Sequence, residues 1–416
     1  MFIIPGYVKY RTSNGKVYVS SELLQNEVVL TDEDVQQEFK SIVEKGCLSL
    51  SSPLKQFLHE QGLLANKEEI TNSLAEAKDL MGENLLLTII PTENCNFRCP
   101  YCYEEKKPIV MTPQQVRHIK KYIEQSITKI NQVCIGWFGG EPTLCLDIVL
   151  DISSYVQKLQ MKHNFFYRGQ MTTNGFLLDL ECFKKLYNVG IIEYQITMDG
   201  WKHDKTRPHA SGKGTLDTIL FNLIEISRLP EDEYNYLIMI RRNVLDGDLD
   251  FSWYDYLLGL FGKDKRFKVT VCPVCDWGGE SVKKLNLATE DQKDLLYRMH
   301  NEYLDKIGLQ HDALSAEPFS HICSASFPYG LIFNANGNIE KCTIALGEPK
   351  NVVGSIDSDA GVQIDEAANK KWCSFGLKNE CYTCKDVLSC LNLCCRKKII
   401  IDGDTYSTCF SDPSKK

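Results

Sequence analysis

TENCNFRCPYCYEEKK, residues 92–107, carries three cysteines, Cys95, Cys99 and Cys102, on one loop. A run of strand length, NLLLTII (residues 84–90), stands just before it, and a helix-like pattern, TPQQVRHIKKYIEQSI, follows from residue 112. The loop therefore opens at the C-terminal end of a strand. The alternation continues to about residue 309. Strand patterns VCIGWF, FFYRGQMTT, IEYQITM, YLIMIRRNV and FKVTVCPV follow in turn, with helix patterns such as LDIVLDISSYVQKLQ, DLECFKKLYNVG and GTLDTILFNLIEISRL between them. Six such alternations predict an α/β fold of parallel strands with right-handed crossovers. It is either an open doubly wound sheet or a partial (βα)6, TIM-like barrel. In both, ligands sit at the C-terminal ends of the strands, where the cysteine loop lies. EDQKDLLYRMHNEYLDKIGL, residues 290–309, predicts a long helix that closes this region.

The chain has 416 residues, enough for two or three domains, with 43% hydrophobic and 25% charged residues. No run of 18 apolar residues predicts a transmembrane helix, and MFIIPGYVKYRTSNG lacks the basic leader and cleavage site of a signal peptide. A net charge of −8 argues against general nucleic-acid binding and suits a basic partner or peptide. A cytoplasmic setting is expected, where thiols stay reduced. Eighteen cysteines at close fixed spacings then point to metal ligation rather than disulfides, and nine of them follow residue 320, so a cysteine-rich C-terminal module is expected.

Three thiolates on one loop hold three corners of a four-iron cluster and leave one iron open to a small molecule. A short zinc loop completed by distant cysteines would read the same way. The spacing Cys95-x3-Cys99-x2-Cys102, with Tyr101 before the last cysteine, resembles the signature of radical S-adenosylmethionine (SAM) enzymes. Four further segments resemble that family in the same order, each ending a strand. Gly139-Gly140-Glu141-Pro142 is similar to its GGE motif, Thr172-Thr173-Asn174-Gly175 to its STNG segment, and Gln195-x-Thr197-x-Asp199-Gly200 to its QxSxDG segment. His203, Asp204 and Arg207 continue as HDxxR, and Arg241-x-Asn243-Val244 ends the fifth strand like RxNV. The resemblance implies a [4Fe–4S] cluster on the triplet and SAM held by Tyr101, Gly139, Gly140, Glu141, Thr173, Asn174, Gln195 and Arg241. It covers about residues 84–310. No protein acid or base is assigned; Asp199, His203 and Asp204 are candidates for structural or proton-handling roles.

The C-terminal array, Cys323-x13-Gly337-x4-Cys342, then Cys381-x2-Cys384-x5-Cys390-x3-Cys394, then Cys409, resembles the seven-cysteine SPASM pattern. By that resemblance, one auxiliary four-iron cluster takes Cys323, Cys342 and Cys394, and a second takes Cys381, Cys384, Cys390 and Cys409. The first lacks a fourth ligand. Cys272 and Cys275, a C-x2-C after the sixth strand, either supply it or line the substrate cavity; otherwise the site is open to a substrate thiolate. A structural zinc ribbon is the alternative for the whole array. Cys47, Cys134, Cys145 and Cys182 sit among apolar neighbours and read as core, while Cys373 and Cys395 read as bystanders.

Residues 1–82 read as three strands, YVKYRT, KVYVSS and NEVVLT, with an Asn14-Gly15 hairpin turn, then helices. Thr31 is read as the cap of the first helix, and TNSLAEAKDLMG as the third. This winged-helix-like outline resembles the PqqD-type element that captures leader peptides by strand addition. The expected layout is residues 1–82, a peptide recognition element; 83–310, the radical SAM barrel; and 311–416, a SPASM domain. Together the resemblances imply a maturase of ribosomally made precursor peptides, of the sactipeptide or ranthipeptide kind. Such an enzyme cleaves SAM to a 5'-deoxyadenosyl radical, removes a hydrogen from the peptide and forms an intramolecular thioether. SAM, three [4Fe–4S] clusters, a leader-bearing peptide and a reductant such as flavodoxin or ferredoxin are the implied cofactors and partners, with no membrane or nucleic acid. An anaerobic sulfatase maturase, a carbon–carbon cross-linking maturase and a non-catalytic iron–sulfur electron carrier or zinc adaptor are the alternatives.

Overall fold

The computed structural model describes residues 2–5, 8–21, 26–45, 52–279, 281–311, 322–374, 377, 379–384, 387 and 395–403. Cys47, Cys390, Cys394 and Cys409 lie outside the described residues. The chain forms two compact units that cut across the sequence boundaries: 1–82 with 314–328 and 370–416, and 83–313 with 329–369.

In the first unit, β1 (Phe2–Ile3) pairs with β5 (Ala65–Asn66), while β2 (Val8–Ser13), β3 (Lys16–Ser21) and β4 (Asn26–Leu30) form an antiparallel sheet in that order. Asn14 and Gly15 both take positive φ, 51° and 67°, as a tight hairpin turn requires. Val17, Val19 and Leu30 from the sheet bury against Phe39 and Ile42 of α1 (Glu33–Lys45) and Leu54 and Leu58 of α2 (Pro53–Glu60). The cap of α1 differs from the expectation. Asp32, not Thr31, accepts from the backbone N–H groups of Asp34 and Val35, at 3.0 and 3.1 Å. A carboxylate there also suits the positive end of the helix dipole. The third helix, α3 (Lys67–Gly82), starts four residues ahead of the TNSLAEAKDLMG reading. Its Ile70 shares a small core with Ala65 and Val387, against which Cys381, Tyr382 and Cys384 pack. Cys381 and Cys384 are thus parts of the same unit as α3.

The second unit is built on one sheet. Its strands β6 (Asn84–Ile90), β7 (Gln132–Trp137), β8 (Phe166–Thr173), β9 (Ile191–Thr197), β10 (Leu237–Val244) and β11 (Phe267–Pro273) are all parallel and lie side by side in chain order. A doubly wound sheet reverses its strand order part-way. This one does not, so it is the partial-barrel alternative. The sheet continues past residue 310: β12 (Gly330–Asn334) pairs in parallel with β6, and β13 (Asn338–Glu340), β14 (Val352–Asp357) and β15 (Gly361–Ile364) extend it antiparallel.

The strands bury alternate residues. Along β7, Val133, Ile135 and Trp137 are fully covered while Gln132, Cys134 and Gly136 are only partly so. Helices α4 (Pro113–Ser126) and α5 (Leu146–Gln160) follow β6 and β7, and the Trp137 indole donates to Ser153 Oγ of α5 at 3.2 Å. The other face is largely polar along β8 and β9. Arg168 and Gln170 of β8 both donate to Glu193 of β9, and Gln195 and Arg241 lie further along it. Of the cysteines expected in the core, Cys145 and Cys182 are buried, and Cys134 is half-buried.

Trp137→Ala removes a fully buried indole and is expected to destabilise this unit by about 3–5 kcal/mol, measured as a lowered urea midpoint of the far-UV circular dichroism transition.

Candidate active site

The cysteine loop runs from Pro91 to Met111, and its own ends are tied: Met111 N–H donates to Pro91 O at 2.8 Å, and the Thr92 hydroxyl to Ile109 O at 2.8 Å. Two other segments flank it. On one side, Gly140 and Glu141 N–H groups donate to Thr92 O and Asn94 O at 3.2 and 2.9 Å. On the other, Arg98 N–H donates to Pro208 O at 2.9 Å and Ala210 N–H to Asn96 O at 2.7 Å. Phe97 is driven into the core between them and meets Phe176 edge-on at 5.9 Å.

Gly139 and Gly140 are glycines because of this loop. Gly139 has φ 108°, and a Cβ on Gly140 would stand 2.1 Å from Asn94 O. The close approach they permit is to the cysteine loop itself, a reason the motif alone does not reveal. Glu141 is buried, and its carboxylate takes four donors. Thr143 N–H, Thr143 Oγ1 and Thr173 Oγ1 reach Oε1 at 3.1, 2.6 and 2.7 Å, and Asn174 N–H reaches Oε2 at 2.7 Å. The Asn174 side chain then donates to Asn96 Oδ1 of the loop at 2.7 Å. Glu141, Thr173 and Asn174 are therefore brought together as one knot.

Tyr101 is braced from a third direction. Its hydroxyl donates to Asp199 Oδ2 at 2.5 Å and accepts from Arg207 at 3.1 Å. Asp199 also takes the Thr206 hydroxyl at 2.7 Å and Asn243 N–H at 3.3 Å. Its own N–H donates to His203 Nδ1 at 3.2 Å. His203 is buried as the neutral ring, burial and the nearby Arg207 charge pulling it down to about 3. Asp204 Oδ1 caps the next helix, accepting from Thr215 and Leu216 N–H at 2.7 and 2.9 Å.

Cys95, Cys99 and Cys102 line one open cleft of about 940 Å³ at the C-terminal ends of the strands. Among the described residues, no three His, Cys, Asp or Glu side chains converge as a finished metal site, which is ordinary for ligands that close only around their metal. Burial pushes the Cys95 thiol up to about 12 and the Cys99 thiol upward too, the Arg207 charge opposing it at Cys99. Such thiols need a metal's charge to ionise. Gln195 and Arg241 line the same cleft, and Arg241 donates to Asn243 Oδ1 and Cys272 Sγ, at 2.9 and 2.8 Å. Cys275 is also on this wall, with Tyr103, Glu104 and Trp277. Burial pushes the Glu104 carboxyl up to about 7. Sequence reasoning passed over Asn96, Tyr103, Glu104 and Trp277. Only their nearness to the motifs could have flagged them.

Of the C-terminal array, Cys323, Cys381 and Cys384 belong to the first unit and Cys342 to the second. The Cys323 thiol is shifted upward by burial, with the Arg396 N–H and the Cys395 thiol beside it. Cys395 was read as a bystander. Cys342 N–H is held by Asn351 Oδ1 at 2.9 Å.

Residues 89–248 match the family model described as the radical SAM superfamily. This chain carries a radical SAM domain. It is 30% identical over 174 residues to a cysteine-type anaerobic sulfatase-maturating enzyme of Clostridium novyi (strain NT), covering 39% of this chain and 45% of that one. It is 31% identical over 153 residues to a GTP 3',8-cyclase of Campylobacter jejuni subsp. doylei, covering 34% and 43%. The chain spans under half the length of these curated relatives. Among solved structures, native anSMEcpe with bound AdoMet and Cp18Cys peptide superposes with a TM-score of 0.52 at 18% identity, over 74% of this chain and 88% of that one. Streptococcus suis SuiB bound to precursor peptide SuiA superposes with a TM-score of 0.51 at 15% identity over 99% of both chains. At those identities the likeness is one of fold. The radical SAM domain accounts for a thiol-lined cleft at the strand ends, and the donor set suits an iron–sulfur cluster: three thiols on one wall, with a buried guanidinium beside them.

Glu141→Gln puts an amide nitrogen against donors. It is expected to cost about 2–3 kcal/mol and to lower iron uptake by the cysteine loop, read by urea titration and iron analysis. His203 supplies a pH dependence. Its folded value lies below the free imidazole value of about 6.5, so between them the unfolded chain binds the extra proton. Stability is full above about pH 6.5 and falls as pH drops toward 3. The urea midpoint of His203→Asn should fall less steeply over that window than that of the wild type.

Proposed function

We propose that this chain is a radical SAM peptide maturase that forms an intramolecular thioether in a ribosomally made precursor peptide. The observation that carries the reading is the three-thiol cleft at the strand ends of a chain whose fold runs the full length of one solved with its precursor peptide. Cys95, Cys99 and Cys102 would hold a [4Fe–4S] cluster. Gly139, Gly140, Glu141, Thr173, Asn174, Gln195 and Arg241 form the walls that would receive SAM, with Tyr101 bracing the loop. Bound together, cluster and SAM supply the 5'-deoxyadenosyl radical that removes a hydrogen from the peptide.

The chain's own residues do the rest. The Glu141 knot and the Tyr101–Asp199 bond fix the loop, so the thiols are presented from a rigid frame. Tyr103, Phe138 and Trp277 give the cleft aromatic surface. Cys323, Cys342 and Cys394 would hold one auxiliary cluster, and Cys381, Cys384, Cys390 and Cys409 a second, giving three in all. Cys275, on the cleft wall, fits the cavity-lining alternative. The three-stranded sheet of the first unit offers edges to which a leader peptide could add as a strand, and a flavodoxin or ferredoxin would supply electrons.

Sulfatase-type maturation is the second reading, favoured by the identity to the sulfatase-maturating enzyme. One experiment separates the two. The chain is expressed anaerobically with a short cysteine-containing peptide encoded beside its gene, and the peptide is weighed. Loss of two hydrogens per site, with the cysteine resistant to alkylation, is the expected result. The same loss with a freely alkylated cysteine means carbon–carbon bonds. An unchanged peptide beside active SAM cleavage would overturn the peptide reading and favour the sulfatase one.

The full chain is expected to carry about 12 irons, as three four-iron clusters require. Cys99→Ala should abolish SAM cleavage and leave about two-thirds of that iron in place, measured by iron analysis.

A further inference from the structure

Arg207 has no role yet beyond bracing Tyr101. It is 8% exposed, on the wall of the cysteine cleft. Its backbone is fixed on both sides, its N–H donating to His203 O at 2.6 Å and its O accepting from the Thr215 hydroxyl at 3.0 Å. Its guanidinium donates to one phenol, Tyr101, and its carbon stands 5.6 Å from the Phe97 ring centroid. Its Nε–H has no partner.

Arg242 Nε–H is likewise without a partner, but other buried arginines hold partners that Arg207 does not. Arg242 holds Asp248 at 3.0 Å, Arg266 holds Asp264 at 2.7 Å, and Arg396 holds the carbonyls of Lys371 and Ser374 at 2.8 and 2.9 Å. Among the described residues Arg207 makes no ion pair. Asp199, on the far side of Tyr101, spends its oxygens on two hydroxyls and one N–H. The nearest carboxylate, Asp199, reaches the guanidinium only through the Tyr101 phenol, and a buried cation with no direct ion pair favours a further anion beside it. Glu104 and Glu141 also line this cleft, but Glu141 is already bonded by four donors, and it is on the Cys99 thiol that the Arg207 charge acts; Tyr101, between Cys99 and Cys102 in sequence, locks the guanidinium to their loop.

We infer that Arg207 is the counter-cation of the cluster on Cys95, Cys99 and Cys102 and raises its reduction potential. The inference rests on the proposed function. One-electron reduction adds one negative charge to the cluster, and a fixed cation in a low-dielectric wall stabilises the reduced form more than the oxidised one. Burial keeps the effect from being screened by salt.

The test is a dithionite titration of the anaerobically reconstituted full chain, followed by electron paramagnetic resonance. The cluster concerned is the one whose signal changes when SAM is added. R207Q should shift its potential to more negative values and leave the other clusters unmoved. R207K keeps the charge and loses the planar fork, so it should fall between R207Q and the wild type. R207Q with full iron and an unchanged potential overturns the inference. If that variant also binds SAM more weakly, the guanidinium serves the SAM carboxylate instead. If R207Q loses its iron, R207M, neutral and of similar length, takes its place, and a potential equal to the wild type in that variant overturns the inference. A wild-type chain that takes up no iron is a different failure: it removes the proposed function and this inference with it.

Discussion

The structure depends on holding still a long irregular loop whose regular structure is limited to a bridge between its own ends. The chain from Pro91 to Met111 crosses the ends of the parallel strands, where no ladder can satisfy its backbone. Beyond the bonds between its own ends, its hydrogen bonds go to the Gly140–Glu141 turn, to the Pro208–Ala210 segment and to the Asn174 side chain. Those three contacts come from the ends of different strands, so the loop's geometry is only as good as the sheet beneath it. That is why six strands in unbroken chain order matter. Each βα connection delivers one more short segment to the same rim.

Glu141 is the centre of this arrangement. A buried carboxylate is costly unless its lone pairs are used, and here three donors come from hydroxyls and amides within the β7 and β8 turns, while the fourth is the Asn174 N–H. Asn174 then reaches the loop through its side chain. A single charge therefore couples two strand ends to the cysteine loop. The cost of burying it is offset by charge-assisted bonds that are shorter and stronger than neutral ones.

The six-fold alternation was legible because each strand is a short apolar run and each helix keeps its own period, so the two patterns do not blur. The long helix read over 290–309 begins as expected, capped by Thr289, and stops at Ile307, where Gly308 takes the left-handed conformation. Other features were hidden for physical reasons. Residues 329–369 read as part of a C-terminal module because local pattern says nothing about which edge a strand joins; Gly330 pairing with Leu86 is a contact across more than two hundred residues. The Thr31 cap failed by one position because Thr31 and Asp32 are both good caps and only the turn geometry chooses. The GGE glycines were read for a ligand's approach, whereas the nearest atoms belong to Ile90 and Asn94. Cys395, read as a bystander near the auxiliary-cluster cysteines, does stand close enough to Cys323 to act on its thiol.

The inward face of the sheet extends the same logic. Residues that point away from the helices along β8, β9 and β10 include Arg168, Gln170, Glu193, Gln195, Arg241 and Asn243, with Leu237 and Met239 the apolar members at the start of β10. A packed barrel core would use branched aliphatics there. Polar side chains on that face cost stability unless they pair, and the lower ones do, in the Arg168–Gln170–Glu193 cluster. Pairing thins toward the rim. Arg241 bonds only its neighbours Asn243 and Cys272, and Gln195 faces the cleft. The sheet is thus satisfied at its base and left with bonding capacity at its mouth. A scaffold meant only to fold would close that capacity, and here it is concentrated beside the three thiols.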